Sequence, residues 1–121
     1  MAKQVIWCVE DEQNIRDILE YTLQSTGFES RGFKDGQSFL DALQQGRPDL
    51  ILMDIMLPNT DGMSLLQQLR TDPQFATIPV IMTTAKGMEY DKIKALEQGA
   101  DDYLVKPFGM MEMVARIKAV L

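Results

Sequence analysis

Apolar and polar residues follow a regular pattern along the chain, in which a short apolar run is followed by a stretch with helical spacing, five times over. Short apolar runs bounded by turn residues are typical of strands buried on both faces of a parallel sheet. The predicted strands span residues 5–9, 28–33, 50–53, 78–83 and 103–105. The predicted helices span residues 12–26, 36–45, 62–71, 88–98 and 110–121. Alternating strands and helices with short connections predict the α/β class, with a parallel sheet covered by helices on both faces.

Individual residues refine these elements. Arg31 and Gly32 interrupt the second strand, which is typical of a strand at the edge of a sheet. Asp61 precedes the third helix and is a suitable N-terminal cap. Gly27 and Gly99 follow the first and fourth helices, where glycine commonly ends a helix.

The first and fourth helices differ in how much apolar surface they offer to a core. The apolar face of the first helix is predicted to comprise Ile15, Ile18, Leu19 and Leu23. The fourth helix has only a thin apolar stripe, mainly Ile93 and Leu96. A helix that buries little can move at a small cost in free energy.

Length and charge limit the classes of function. A chain of 121 residues has room for one domain, residues 1–121. The formal net charge of −6 argues against binding of nucleic acid or of an anionic membrane by this segment. The absence of histidine means that acid, base or metal chemistry must use other side chains.

Compartment and chain ends give a further set of expectations. The single Cys8 excludes an internal disulfide, and neither a signal peptide nor a membrane span is visible. We therefore expect a cytoplasmic protein that does not interact with a membrane. The apolar helical pattern runs on to Leu121 without a stop signal, which leaves open whether the protein ends there or continues.

Polar residues follow four of the five predicted strands. They are Glu10, Asp11 and Glu12 after the first strand, Asp54 after the third, Thr83 and Thr84 at the end of the fourth, and Lys106 after the fifth. Parallel strands place their carboxyl ends at one edge of the sheet, so these side chains are expected to lie together. Each has an ordinary explanation when taken alone, such as acids at a helix N-terminus or threonines in a strand. Their conjunction favours a functional site.

Clustered carboxylates indicate a small hard cation. Carboxylates that lie together resist ionisation, and Mg²⁺ relieves their repulsion because it prefers oxygen ligands. Lys106 adds a positive charge and Thr84 a hydrogen-bond donor for the same anion. Asp54 could then accept a phosphoryl group, because carboxylates serve as nucleophiles in such transfers.

The whole chain resembles a CheY-like receiver domain of a two-component response regulator. The residues that carry the resemblance are 9–12 (VEDE), 52–58 (LMDIMLP), 61–62 (DG), 83–85 (TTA), 99–103 (GADDY) and 106–108 (KPF). They occur in order and with the family's spacing from one end of the chain to the other. The resemblance implies a flavodoxin-like (βα)5 fold with a five-stranded sheet in the order 2-1-3-4-5.

The resemblance also implies a role for each site residue. Asp54 would be the phosphoacceptor, and a sensor histidine kinase would be the donor. Asp11 and Asp54 would ligate Mg²⁺, for which Mn²⁺ could substitute, together with the backbone carbonyl of Met56 and with Glu10 through water. Lys106 would contact the phosphoryl oxygens, with a cis peptide bond after it. Such a domain is not an enzyme beyond self-catalysed phosphoryl transfer and slow autodephosphorylation.

A switch is part of the same implication. Thr84 would move to hydrogen-bond the phosphoryl group, and Tyr103 would turn inward into the space that Thr84 leaves. That is a shift between two populated states, driven by contacts that only the phosphoryl group makes.

Within the family, the chain resembles the OmpR/PhoB type most. That type forms homodimers through the fourth helix, fifth strand and fifth helix, and controls transcription through a DNA-binding domain absent from this chain. By position, Lys92 would meet Glu112 and Asp102 would meet Arg116 across the interface. Its apolar centre would comprise Ile93, Leu96 and Ala115.

Three other classes of protein share part of this pattern. A stand-alone receiver or a phosphorelay intermediate would share the chemistry and differ only in output. A flavodoxin-like cofactor binder is disfavoured because Glu10, Asp11 and Glu12 would repel a phosphate. A phosphatase of the aspartyl-phosphate class would need an acid where Met56 stands.

Overall fold

The five strands form one parallel sheet in the order β2-β1-β3-β4-β5. The structure, a computed structural model, describes residues 2–85 and 89–121, apart from the side chains of residues 89–91. The strands are β1 (Val5–Val9), β2 (Glu29–Phe33), β3 (Leu50–Asp54), β4 (Val80–Ala85) and β5 (Asp102–Lys106). The helices are α1 (Gln13–Ser25), α2 (Gly36–Leu43), α3 (Gly62–Thr71), α4 (Glu89–Glu97) and α5 (Met110–Val120). The predicted flavodoxin-like fold and sheet order are confirmed, and β2 lies at an edge as expected.

Helices pack on both faces of the sheet because successive side chains of a strand point to opposite faces. Trp7 and Val9 of β1 belong to the core that includes residues of α2 and α3, together with Ala95 of α4. Ile6 and Cys8 belong to the other core, with residues of α1 and α5. The central strand β3 is buried along its whole length, which explains its unbroken apolar run.

Trp7 is the largest residue of β1. It fits because it packs against two phenylalanines, with ring centroids 5.1 Å from Phe33 and 6.2 Å from Phe39. Tilted and edge-on contacts of this kind are the favoured arrangements of aromatic rings. The bulky side chain is thus part of the core on the α2–α3 face.

Several helix ends follow the predictions. Asp61 accepts a hydrogen bond from the backbone N–H of Met63 at 3.0 Å and so caps α3. Gly27 and Gly99 have φ angles of +99° and +103°, which glycine adopts readily at the end of a helix. The predicted start of the fourth helix at Met88 lies outside the described residues.

Two predictions were wrong in detail. Ile18 is 53% exposed, because α1 packs on the sheet through Leu19 and Leu23 and turns Ile18 away from it. The fourth strand begins at Val80 instead of residue 78, since Pro79 has no N–H to donate to a neighbouring strand. The first strand and the third helix have the predicted boundaries, and the other described boundaries differ from the predicted ones by at most two residues.

Candidate functional site

The carboxyl ends of four strands bring the predicted site residues together. Glu10 follows the last residue of β1, and Asp54 is the last residue of β3. Asp54 pairs in register with Thr83 of β4, and Lys106 ends β5 opposite Ala85. The parallel arrangement therefore produces the predicted cluster at one edge of the sheet.

Lys106 joins the two buried carboxylates of this cluster. Its ammonium nitrogen lies 2.8 Å from Oε1 of Glu10 and 2.6 Å from Oδ2 of Asp54. Glu10 and Asp54 are only 4% and 5% exposed, so each depends on such a partner. Burial disfavours the charged ammonium, but the hydrogen bonds to Asp54 and Glu10 outweigh it and raise the pKa of Lys106. The lysine thus stays protonated at neutral pH.

The second oxygen of Asp54 is held by the backbone. Oδ1 accepts a hydrogen bond from the N–H of Met56 at 2.9 Å. The loop after β3 folds back tightly, because the N–H of Gly62 donates to the carbonyl of Ile55 at 2.9 Å. A Cβ at position 62 would collide with the carbonyl oxygen of Asp54. Only glycine therefore permits α3 to start so close to the strand that carries Asp54.

Asp11 completes a group of three carboxylates. Glu10, Asp11 and Asp54 offer oxygens that all lie within 4.8 Å of one another, and Asp11 is the exposed member. Partial desolvation, followed by the hydrogen bond and the charge of Glu10, raises the pKa of Asp11. Three carboxylates with one ammonium leave an excess of negative charge. Their oxygens suit a hard divalent cation, and a cavity of about 530 Å³ separates Asp11 from the loop that carries Met56.

Thr84 lies near the carboxyl end of β4, one residue after the partner of Asp54, whereas Tyr103 is the second residue of β5 and pairs with Met82. Thr84 is buried, and its hydroxyl donates to the carbonyl of Ala85 at 3.1 Å. Tyr103 is half-buried, and the ammonium of Lys92 lies 4.8 Å from the centroid of its ring. The peptide bond between Lys106 and Pro107 is cis, as the resemblance implied.

The predicted interface residues lie on α4, β5 and α5, and β5 is an edge strand of the sheet. Ile93 and Leu96 are 55% and 44% exposed, and Ala95 is the buried residue among the described side chains of α4. Ala115 is exposed as well. Arg116 pairs within its own chain, at 3.0 Å from Asp102 and 3.3 Å from Glu112. Both of these partners were predicted interface residues.

Arg16 contacts the site and was not predicted. Its Nη1 donates to the carbonyl oxygens of Glu10 at 2.8 Å and Asp11 at 3.3 Å. The one signal in the sequence is a basic residue in the first turn of a helix, where the helix dipole disfavours positive charge. That signal shows that Arg16 needs an explanation, but it does not identify the carbonyl groups that Arg16 contacts.

The chain belongs to the response regulator receiver domain family, whose model matches residues 6–118. It is thus a receiver domain of the two-component response regulator type. Solved structures of similar proteins agree with this assignment. The chemotaxis response regulator CheY4 of Vibrio cholerae is 28% identical, with a TM-score of 0.92, over 99% of this chain and 100% of that one. A putative response regulator from Chloroflexus aurantiacus is 34% identical, with a TM-score of 0.93, over 98% of both chains.

Two further solved structures are similar to this chain. The receiver domain of a signal transduction histidine kinase from Syntrophus aciditrophicus is 33% identical, with a TM-score of 0.89, over 98% of this chain and 89% of that one. NtrX from Brucella abortus is 30% identical, with a TM-score of 0.92, over 99% of this chain but only 27% of that one. Receiver domains bind Mg²⁺ at an acidic pocket and interact with sensor histidine kinases. Among the described residues, no helix has the length and apolar character needed to cross a membrane.

Proposed function

We propose that this receiver accepts a phosphoryl group on Asp54 from the phosphohistidine of a sensor histidine kinase. The observation that carries the proposal is the position of Asp54, buried at a strand end with one oxygen on Lys106 and the other on a backbone N–H. A carboxylate fixed in this way is oriented, as a nucleophile must be. The family assignment supports the same chemistry.

The transfer itself needs few groups. An oxygen of Asp54 forms a bond to phosphorus while the bond from phosphorus to the imidazole nitrogen breaks, and that nitrogen keeps the electron pair. Lys106 is placed to balance the negative charge that the phosphoryl group brings. Thr84 directly follows Thr83, which pairs with Asp54 across β3 and β4. The hydroxyl of Thr84 is the candidate donor of a hydrogen bond to a phosphoryl oxygen.

The acidic cluster is the proposed site for Mg²⁺ or Mn²⁺. Asp11, Asp54 and the backbone carbonyl of Met56 would hold the cation directly, and Glu10 would act through water. When bound, the cation neutralises the carboxylates and stabilises negative charge on phosphoryl oxygens. The proximity of the three carboxylates supports this assignment.

We propose no turnover activity beyond this self-catalysed transfer and slow autodephosphorylation. Hydrolysis of an aspartyl phosphate is fastest when a second acid or base can activate water. Met56, which has no such group, stands two residues after Asp54 and is 68% exposed. The phosphorylated state is therefore expected to last long enough to carry a signal.

The proposed output is a phosphorylation-dependent homodimer of the OmpR/PhoB type, which would control transcription through a DNA-binding domain outside this chain. Two observations support this output. Among its described side chains α4 buries only Ala95, so the helix could shift at small cost, and the side chains of Ile93, Leu96 and Ala115 are exposed and could pack against a second copy. Thr84 and Tyr103 would couple it to Asp54. In this interpretation residues 1–121 form one receiver domain of a longer protein.

The second candidate is a stand-alone receiver or a phosphorelay intermediate that acts through contact with other proteins. It is favoured by the full coverage of the CheY4 chain and by the relative that is part of a histidine kinase. The phosphorylation chemistry is the same in both candidates.

The test is the intact mass of the protein after incubation with acetyl phosphate and Mg²⁺, with Asp54→Asn as the matched variant. One phosphoryl adduct that requires Mg²⁺ and is absent from the variant supports the proposal. Light scattering on the same samples separates the outputs, since a dimer after phosphorylation supports the first and a phosphorylated monomer the second. A wild-type protein that takes up no phosphoryl group contradicts both.

A further inference from the structure

The backbone of the Glu10–Asp11 pair is fixed from two sides. The N–H of Glu10 donates to the carbonyl of Phe33 on β2 at 2.9 Å. On the other side, Nη1 of Arg16 donates to the carbonyl oxygens of Glu10 and Asp11, at 2.8 and 3.3 Å. One guanidinium therefore bridges two successive carbonyls of the segment that carries two of the three clustered carboxylates.

The position of the Arg16 side chain depends on a glycine of the neighbouring strand. A Cβ on Gly32 would lie 2.7 Å from Cγ and 2.9 Å from Cδ of Arg16, closer than such atoms approach. Gly32 pairs in register with Cys8, two residues before Glu10. The aliphatic part of Arg16 thus passes over β2 at Gly32, which has no side chain to block it. This path brings the guanidinium to the carbonyl groups of Glu10 and Asp11.

Helix stability does not explain this arginine. Arg16 is the fourth residue of α1, where the partial positive charge of the helix N-terminus disfavours a cation. The first turn of α1 contains no acidic residue that would compensate. The contacts that Arg16 gains are the two carbonyl groups of the acidic segment.

We propose that Arg16 is a positioning residue for divalent cation binding, and that Gly32 provides the space this requires. Three carboxylates within 4.8 Å repel one another and would tend to separate in the absence of a cation. Arg16 opposes this separation, because its guanidinium holds the carbonyl groups of Glu10 and Asp11 and so fixes the backbone from which both carboxylates project. The inference rests on the proposed function only in taking Mg²⁺ as the ligand.

The test measures Mg²⁺ affinity by titration calorimetry on the whole chain, without any phosphoryl donor. Arg16→Met keeps the aliphatic stem and removes the guanidinium, and we expect its dissociation constant to rise by about 10- to 100-fold, as for other groups that orient metal ligands. Arg16→Lys keeps the positive charge, but its single ammonium nitrogen replaces the planar guanidinium with its several N–H donors. Its Mg²⁺ affinity should therefore lie between that of the wild type and that of Arg16→Met. Lys34→Gln is the control, since Lys34 is exposed and lines the same groove as Arg16.

Gly32→Ala provides an independent arm without a charge change. It should weaken Mg²⁺ binding in the wild-type background and have little further effect in Arg16→Met, because both changes remove the same contact. Circular dichroism and urea denaturation of each variant establish that it is folded. An Arg16→Met protein that is folded and binds Mg²⁺ as tightly as Lys34→Gln would overturn the inference, and so would wild-type protein that binds no Mg²⁺. If Mg²⁺ binds as expected but acetyl phosphate gives no adduct on Asp54, the proposed function fails while this inference stands.

Discussion

Replacing Asp11 by asparagine is expected to stabilise the fold in the absence of Mg²⁺ and to prevent phosphorylation. The wild-type cluster places three carboxylates against one ammonium, so its net charge is unfavourable until a cation binds. Asparagine has nearly the same shape as aspartate and no charge. The substitution therefore removes repulsion from the folded state while it also removes a proposed metal ligand.

The size of the effect follows from the geometry. Two unit charges 4.8 Å apart repel by about 0.9 kcal/mol in bulk water and by about 3.5 kcal/mol at an effective dielectric constant of about 20. Asp11 is exposed, so the lower figure applies more closely to its repulsion by each of Glu10 and Asp54. Its attraction to Lys106 cancels part of the sum. We expect the free energy of unfolding to rise by about 1 kcal/mol.

The assay is urea denaturation at low ionic strength with EDTA, and with Mg²⁺ in a parallel series. Asp17→Asn is the matched control, because it makes the same chemical change on the exposed side of α1. The gain in stability should shrink at physiological salt, where the Debye length falls to about 8 Å. Mg²⁺ should stabilise the wild type and the control, and should have little effect on Asp11→Asn.

The difference in stability between wild type and Asp11→Asn should depend on pH. The pKa of Asp11 is raised above the ordinary value of an aspartate, so the folded state binds its proton more tightly than the unfolded state. Below the unfolded pKa the repulsion is absent, and wild type and variant should be equally stable. The advantage of Asp11→Asn should appear as the pH rises through the folded pKa, and should be complete at neutral pH. A variant less stable than wild type in EDTA at neutral pH would refute the electrostatic reasoning.

Three further substitutions test other contacts by urea denaturation. Lys106→Met leaves two buried carboxylates without their partner, and it should lower the free energy of unfolding by about 3 kcal/mol in EDTA. The loss should be smaller in Mg²⁺. An unchanged free energy of unfolding would show that the ion pairs do not stabilise the fold. Gly62→Ala should lower the free energy of unfolding by about 2 kcal/mol or more, because the new Cβ collides with the carbonyl of Asp54. The control Gly46→Ala, where the new Cβ meets no other atom, should change the free energy of unfolding little. Equal effects of the two substitutions would show that the loop before α3 can relax. Arg70→Ala should lower the free energy of unfolding by about 2 kcal/mol, because the guanidinium of Arg70 donates to three carbonyls and one carboxylate. An unchanged free energy of unfolding would mean that water replaces these hydrogen bonds.

Much of the fold could be predicted because strands buried on both faces must be apolar along their length. The run at residues 50–53 has no other good explanation, and a polar residue directly after it marks the edge where strands end. The acidic cluster followed from the same reasoning. The prediction needed only the end of each strand, and parallel topology placed those ends together.

What could not be predicted depends on the paths of side chains and on helix rotation. Ile18 has the right spacing for a core residue, but a small rotation of α1 leaves it exposed. Arg16 reaches the acidic segment only because Gly32, on another strand, leaves room for its stem. A long flexible side chain has many conformations, so its partner is decided by tertiary packing that spacing along the chain does not reveal.

The proposed dimer would have to derive its affinity from apolar contacts rather than from ion pairs. Arg116 already bonds to Asp102 and Glu112 of its own chain, so a bond to the partner's Asp102 would exchange one ion pair for an equivalent one. Exposed ion pairs contribute at most about 1 kcal/mol, and such an exchange contributes less. Ile93 and Leu96, by contrast, expose about half of their surface, and burying it would be a net gain. The charged residues would then determine which surfaces meet and in which orientation, while phosphorylation would control association through the placement of α4.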